Sequence, residues 1–392
     1  MKYRILFFFM LIFHSVAIAQ RRLPIVAFHG VQSGTTEDFI IFKNAGFNIS
    51  LSVYTRTEDI IRDLKAAEEA GVKLFVYSDS LMLNPEKIIN RIKDYPAFYG
   101  TYIADEPSSD QFPMLRWRIE GIRKYDKKGK FYVNLFPNNA SDTQLRSASY
   151  DDYLHRFAEG VHTDFISFDY YPIKNEQVDV AWYDNLEKIR NVAIKFNKPF
   201  WAFANSTIFG VHSQPTLAGL KLQQFGNLLY GAKGLQYFTY WTLDEEFRRK
   251  NNFQYAVVDE NGHPTPIYNL VKEVNQQIRN LESIFVEGTV TDIYHDGHQI
   301  PPGTRSLNFL PDNFKIFNKT KESILISFIR KGRKKYTIIQ NKDIRNSISF
   351  KYKVLPGTDM VDSKNGKTYV LPTKQSSSRV LPGDILIFSY SN

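Results

Sequence analysis

From Leu23 to Ile284 a short apolar run is followed by a helical pattern eight times over, at spacings of roughly 25 to 35 residues. The runs are Leu23 to Phe28, Phe47 to Val53, Lys73 to Tyr77, Phe98 to Asp105, Phe131 to Phe136, Asp164 to Phe168, Pro199 to Phe203 and Gly234 to Tyr240. They are apolar throughout rather than alternating, which predicts strands buried on both faces, hence a parallel sheet covered by helices. Gly and Asn-Pro punctuate the helices between them: Thr35 to Asn44 before Gly46, Thr57 to Ala70 before Gly71, and a helix opened by Asn84-Pro85. Helices follow over Ser109 to Lys124, Ser149 to Gly160, Trp182 to Phe196, Thr216 to Tyr230 and Pro266 to Ile284. Eight units close a sheet into a (β/α)8 TIM barrel. An open doubly wound sheet would favour a glycine-rich phosphate loop after an early strand, and the sequence has none.

After about Leu281 the texture changes. Short runs (Ile324 to Phe328, Lys335 to Gln340, Ile348 to Tyr352, Tyr369 to Leu371, Asp384 to Tyr390) alternate with Pro356-Gly357, Asn365-Gly366 and Pro382-Gly383. That pattern predicts a small antiparallel β-sandwich packed against the barrel. At the other end, Lys2 and Arg4 precede an apolar stretch from Ile5 to Phe13 and then Ala17-Ile18-Ala19, the order of a secretory signal. The expected organisation is a signal peptide over 1–19, the barrel over 20–284, and a linker and sandwich over 285–392. With no cysteine for a lipid anchor and no later membrane-length run, we expect a secreted or periplasmic protein without stable membrane insertion.

The absence of cysteine also means that a conventional core must hold the fold. Most of the +9 net charge sits in the last quarter, notably Arg330-Lys331-Gly332-Arg333-Lys334-Lys335, with no nucleic-acid motif beside it. We expect no nucleic-acid partner, and the sequence assigns no oligomeric state.

Chemistry in such a barrel belongs to the C-terminal rim of the strands. The residues expected there are His29, Tyr54, Tyr77, Asp105 and Glu106, Asn134, Asp169 with Tyr171, Asn205, and Trp241 followed by Glu245. Acids, amides and aromatics on one rim match what glycoside cleavage needs: a carboxylic acid for the leaving oxygen, a second carboxylate, and a flat platform under the sugar. Glu106 is the expected proton donor and Asp169 its partner, with the others binding a carbohydrate substrate. No cofactor is expected. No helix carries a His-x-x-x-His or Glu-x-x-His pair for a metal, and no Gly-x-Ser-x-Gly elbow is present.

Asp105-Glu106-Pro107 at the end of the fourth run resembles the Asn-Glu-Pro signature of clan A retaining glycoside hydrolases, whose Glu is the acid/base. Trp241 and the segment Val257-Val258-Asp259-Glu260-Asn261-Gly262-His263-Pro264 are similar to the end of the barrel in family 42 β-galactosidases. The phrases DEPS, SFDYYP, PFWAF and GAKGLQYFTYW resemble a set of secreted Bacteroidetes glycoside-hydrolase-like proteins. The resemblance implies a secreted hydrolase of O-glycosidic bonds in a poly- or oligosaccharide. It breaks at strand seven, where the clan carries its nucleophilic Glu and this chain reads Pro199-Phe200-Trp201-Ala202-Phe203-Ala204-Asn205-Ser206. An amide cannot form and release a glycosyl ester. Three readings follow: a relocated partner, Asp169 or else Asp105 or Glu245; assistance by the substrate's own N-acetyl group; or a glycan-binding barrel without catalysis.

Overall fold

The computed structural model describes residues 22–32, 34–317 and 323–391. The expected signal segment lies outside them. The eight expected strands are present: β1 (Ile25–Ala27), β2 (Ile49–Val53), β3 (Lys73–Tyr77), β4 (Phe98–Asp105), β5 (Lys130–Leu135), β6 (Ile166–Phe168), β7 (Phe200–Asn205) and β8 (Gly234–Phe238). Each pairs in parallel with its sequence neighbours, and β8 pairs with β1, so the sheet closes as a (β/α)8 TIM barrel. Asn84 caps its helix ahead of Pro85 as the Asn-Pro pair predicts, and Ser149 and Thr216, expected as helix starts, prove to be caps, each accepting from the backbone amide three residues on. The hydroxyl of Thr57, a residue type that caps helices, predicts a cap there. Thr57 is instead the first residue of its helix, and Arg56 occupies the cap without a side-chain bond.

Alternation along each strand divides the side chains into two cores. Those facing the axis, among them Val26, Leu51, Phe75, Tyr102, Tyr132 and Trp201, form a dense aromatic plug, in which Trp201 stacks on Phe165 at 3.8 Å. Those facing outward pack under the helices in a much larger apolar layer.

The C-terminal region is a β-sandwich of a six-stranded and a three-stranded antiparallel sheet. The expected five runs are part of nine strands. Thr289–Asp296, Phe314–Phe317, Asp359–Val361 and Ser376–Val380 escaped notice because they are short, polar or half-exposed. One face of the larger sheet (Ile293, Leu325, Ile338, Ile387) continues the outer core of the barrel, and the opposite face packs on the smaller sheet through Ile326, Ile339 and Phe388. The seam runs along the helix Leu217–Leu229, whose residues are nearly all buried. There Lys221 Nζ meets Asp384 Oδ2 at 2.8 Å, and Gln277 Nε2 donates to the other Asp384 oxygen at 2.9 Å. Gly383 lies so close that a Cβ would meet the carbonyl oxygen of Ala218 at 2.1 Å. Among the described residues no helix is long and apolar enough to cross a membrane.

Candidate active site

The barrel mouth holds a cavity of about 370 Å³ lined by Asp105, Glu106, Asn134, Asp169 and an aromatic wall. A bulge in β4 is what aims the first of these. Tyr102 sits opposite Tyr132, but the register then slips, so that Ala104 faces Val133 and Asp105 faces Asn134. Without the extra residue, Ala104 would face the axis and the acid would point into the helix layer. Glu106 follows with φ +43°, a left-handed conformation that costs a non-glycine residue about 1–3 kcal/mol. Two bonds hold it there: its own N–H donates to the Asn134 carbonyl at 2.9 Å, and the buried Tyr153 hydroxyl donates to the carbonyl of Pro107 at 2.7 Å.

Asn134 is the hub. Its Oδ1 accepts from Ser167 Oγ at 2.9 Å, and Ser167 in turn accepts from Gln236 Nε2 at 2.9 Å. That chain assigns the amide orientation and turns Nδ2 toward the acids. Nδ2 donates to Asp105 Oδ1 at 3.1 Å and to Asp169 Oδ1 at 2.9 Å, so these two oxygens lie within 6.0 Å of one another. Glu106 accepts no hydrogen bond among the described residues, and none of the three acids has a cation in ion-pair range.

The electrostatics follow from this arrangement. Burial, then the charge of Asp105, pushes Glu106 up to about 7. Burial raises Asp105 against the bond from Asn134. Asp169 is driven well above the usual carboxylate range by burial and then by the charges of Glu106 and Asp105, with Asn134 opposing. Three acids sharing one cavity cannot all be ionised at neutral pH. Glu106 and Asp169, each raised by burial and by its acidic neighbours, therefore hold at least one proton between them.

Facing the acids are Phe28, Tyr171, Phe203, Phe209 and Phe238, with ring centroids 5.4–6.3 Å apart between Tyr171, Phe203, Phe209 and Phe238. His212 lies tilted against Phe209 at 4.2 Å, and burial, then Lys174, lowers it to about 4, so the ring is neutral. Lys174 lines the cavity but is held by Asp179 at 3.0 Å.

The structure therefore brings together Asp105, Glu106, Asn134, Asp169 and Tyr171. His29 stands beside the wall, edge-on to Phe28 at 4.9 Å and lowered to about 4 by burial. Tyr77 is turned to Asp79, to which its hydroxyl donates at 2.9 Å. Neither His29 nor Tyr77 lines the cavity, and four further expected binding residues do not reach it. Tyr54 points outward into the helix layer, where its neighbours are Asp63 and Arg62, because inward residues on β2 are Ile49 and Leu51. Asn205 has the inward parity of Trp201 and Phe203 but is buried under the following loop, with Oδ1 accepting from the N–H of Thr207 at 3.2 Å. Trp241 is buried, its indole N–H donating to the Glu260 carbonyl at 3.3 Å, and Glu245 is exposed in the first turn of Glu245–Asn251.

The missed residues fall into two groups. Phe28, Phe203 and Phe238 are strand-end aromatics of inward parity, which alternation could have found. Lys174, Phe209 and His212 come from an irregular loop joined by isolated bridges, Lys174 to His212 and Phe209 to Phe253, for which the sequence carries no signal. Among the described residues, no group of three or more His, Cys, Asp or Glu side chains is disposed to hold a metal ion.

No protein-family model matches the sequence, and no curated protein does. Solved structures do match in shape, and those named here are glycoside hydrolases. A GH27 β-L-arabinopyranosidase from Geobacillus stearothermophilus aligns with TM-score 0.52 at 7% identity, over 95% of this chain and 97% of that one. A β-galactosidase from the Antarctic haloarchaeon Halorubrum lacusprofundi aligns with TM-score 0.48 at 11% identity, over 67% of this chain and 59% of that chain. The GH99 endo-α-mannosidase from Bacteroides thetaiotaomicron gives TM-score 0.41 at 14% identity, over 61% and 77% of the two chains. At 7% identity the property shared with the arabinopyranosidase is the fold alone, here a closed (β/α)8 barrel followed by two antiparallel sheets.

Proposed function

We propose that the barrel hydrolyses O-glycosidic bonds of a poly- or oligosaccharide, with Glu106 as proton donor and Asp169 as general base. The observation that carries this reading is the convergence of Glu106, Asp105 and Asp169 in one aromatic-walled cavity, with the one lining cation, Lys174, held by Asp179 and none in ion-pair range of the three acids among the described residues. Glu106 gives its proton to the glycosidic oxygen as the bond to the anomeric carbon breaks and its electron pair passes to that oxygen. Asp169 takes a proton from the water that attacks the same carbon. Asn134 keeps Asp169 and Asp105 in place, and the negative field of Asp105 favours the positive charge that develops on the sugar. A donor raised to about 7 beside a carboxylate that burial and its acidic neighbours also raise suits proton exchange between the two. With an amide rather than an acid ending β7, we assign the water-activating, inverting course.

The kinship with family 42 β-galactosidases is proposed on the sequence signatures alone. Export directed by residues 1–19 and a domain boundary near 284 belong to the same proposal. Mass analysis of the exported protein would find a chain beginning near Gln20, and a retained Met1 would refute the signal.

The test is a screen of purified protein against polysaccharides, with the product anomer read by NMR. Glu106→Gln is expected to lower kcat by about 10²–10⁴ while glycan affinity is retained. A second reading, a glycan-binding barrel without turnover, is favoured by the missing strand-seven acid. Wild-type protein that binds glycans yet releases no reducing ends would establish that reading and sink hydrolysis.

A further inference from the structure

A second cavity, of about 300 Å³, opens in the sandwich, among Asp292, Tyr294, Phe309, Phe328, Arg330, Lys335 and Tyr390. Its floor is written in the sheet register. Arg330 pairs with Lys335 across one hairpin, and Lys335 pairs with Tyr390 across the next, so two cations and a ring stand abreast on one face. One step along the same face, Asp292 is opposite Phe328. Like charges directly opposite each other destabilise a strand pair; of the two carboxylates that also line this cavity, Asp292 is taken by Arg305, and neither Asp292 nor Asp312 comes within ion-pair range of Arg330 or Lys335 among the described residues. Neither Arg330 nor Lys335 has an ion pair among the described residues, while the neighbouring Lys331 is taken by Glu287 at 3.1 Å and Arg305 by Asp292 at 3.2 Å. Lys335 Nζ instead lies 5.9 Å over the Tyr390 ring.

The wall beside these cations is aromatic and open. Phe309, 43% exposed, is stacked with Phe328 at 6.2 Å and 28°, and Tyr294 meets it edge-on at 5.0 Å. An exposed phenylalanine held flat by two other rings, with an unpaired guanidinium and ammonium at its margin, offers a ring-stacking face and an anion contact in one pocket.

We propose that this cavity binds a sugar bearing a carboxylate or a sulfate, the ring lying on Phe309 and Phe328 and the anion between Arg330 and Lys335. The site is separate from the barrel mouth and stands whether or not the barrel is catalytic. The whole protein is titrated calorimetrically with oligogalacturonate, a sulfated disaccharide and, as neutral control, cellotetraose. Binding of one or both anionic sugars, with the neutral one at least tenfold weaker, is expected. The exposed double variant Arg330→Ala/Lys335→Ala is expected to weaken it by at least about tenfold, the loss of charged hydrogen bonds. Phe309→Ala should weaken it about fivefold or more, and Glu106→Gln should leave it unchanged. The proposal is overturned if no anionic sugar binds, if cellotetraose binds equally well, or if Glu106→Gln abolishes binding. It is equally overturned if polyphosphate binds as tightly and only the double variant responds, which would make the pocket an unspecific cationic patch.

Discussion

The seam and the barrel mouth treat their carboxylates in opposite ways. At the seam between barrel and sandwich, Asp384 is 4% exposed and Lys221 3% exposed, and the two meet at 2.8 Å with Gln277 completing the aspartate's bonds. At the barrel mouth, Asp105, Glu106 and Asp169 share a cavity with one amide and no cation in ion-pair range. The first arrangement cancels charge and joins two parts of the fold. The second leaves charge unresolved, and the cost appears as raised proton affinity and a left-handed backbone at Glu106. A fully buried pair serves the fold, whereas acids crowded together at an open cavity without a cation in ion-pair range mark the candidate site.

The contrast can be broken from either side. Beyond the loss of turnover expected for Glu106→Gln, the largest effect should come from turning the seam into an unpaired site. Asp384→Ala leaves buried Lys221 only the exposed Glu273, at 3.8 Å, and is expected to cost about 3 kcal/mol of stability in denaturant titration. Replacing both partners, as Lys221→Met with Asp384→Leu, should restore most of it. Equal losses in the single and double variants would mean that the pair's geometry, not its charge balance, holds the seam.

Next comes the pH dependence of stability. The folded protein binds the Glu106 proton more tightly than the unfolded chain does, with a value of about 7 against 4.5. The contribution of this residue is therefore present below 4.5 and is lost as pH rises toward 7. His29 and His212, both lowered to about 4, act the other way between 4 and 6.5, so the informative quantity is a difference between proteins. Glu106→Gln should melt higher than wild type at pH 8, and the gap should close at pH 4.5. A gap independent of pH would remove the proton-affinity argument. The smallest effect is expected for Ser167→Ala, which deletes the bond orienting Asn134. About 1 kcal/mol, or roughly fivefold in kcat, should be lost with KM little changed. A shift in KM alone would reassign Asn134 from positioning the acids to holding the substrate.

Strand and helix positions were legible because each rests on a local pattern: apolar runs, caps such as Ser149 and Thr216, and glycine stops such as Gly71. Glu106 was legible because Pro107 ends its strand. Tyr54 was misplaced through neglect of alternation, since Ile49 and Leu51 already determine which way residue 54 faces. Asp105 could not have been aimed correctly by counting, because the bulge after Tyr102 reverses the parity of everything beyond it. Asn205 was counted correctly and still lies outside the cavity, since the loop carrying Thr207 closes over it.

What the sequence determined by itself was the barrel, the sandwich and the identity of the acids, because periodicity and strand endings are properties of neighbours along the chain. Which acids share a field was decided only in three dimensions. Asn134 on β5, Asp105 on β4 and Asp169 after β6 are distant in sequence, and the parallel pairing of these neighbouring strands brings them within one amide's reach. Proton affinity depends on burial and on charge at that distance, and neither quantity exists until the strands have paired.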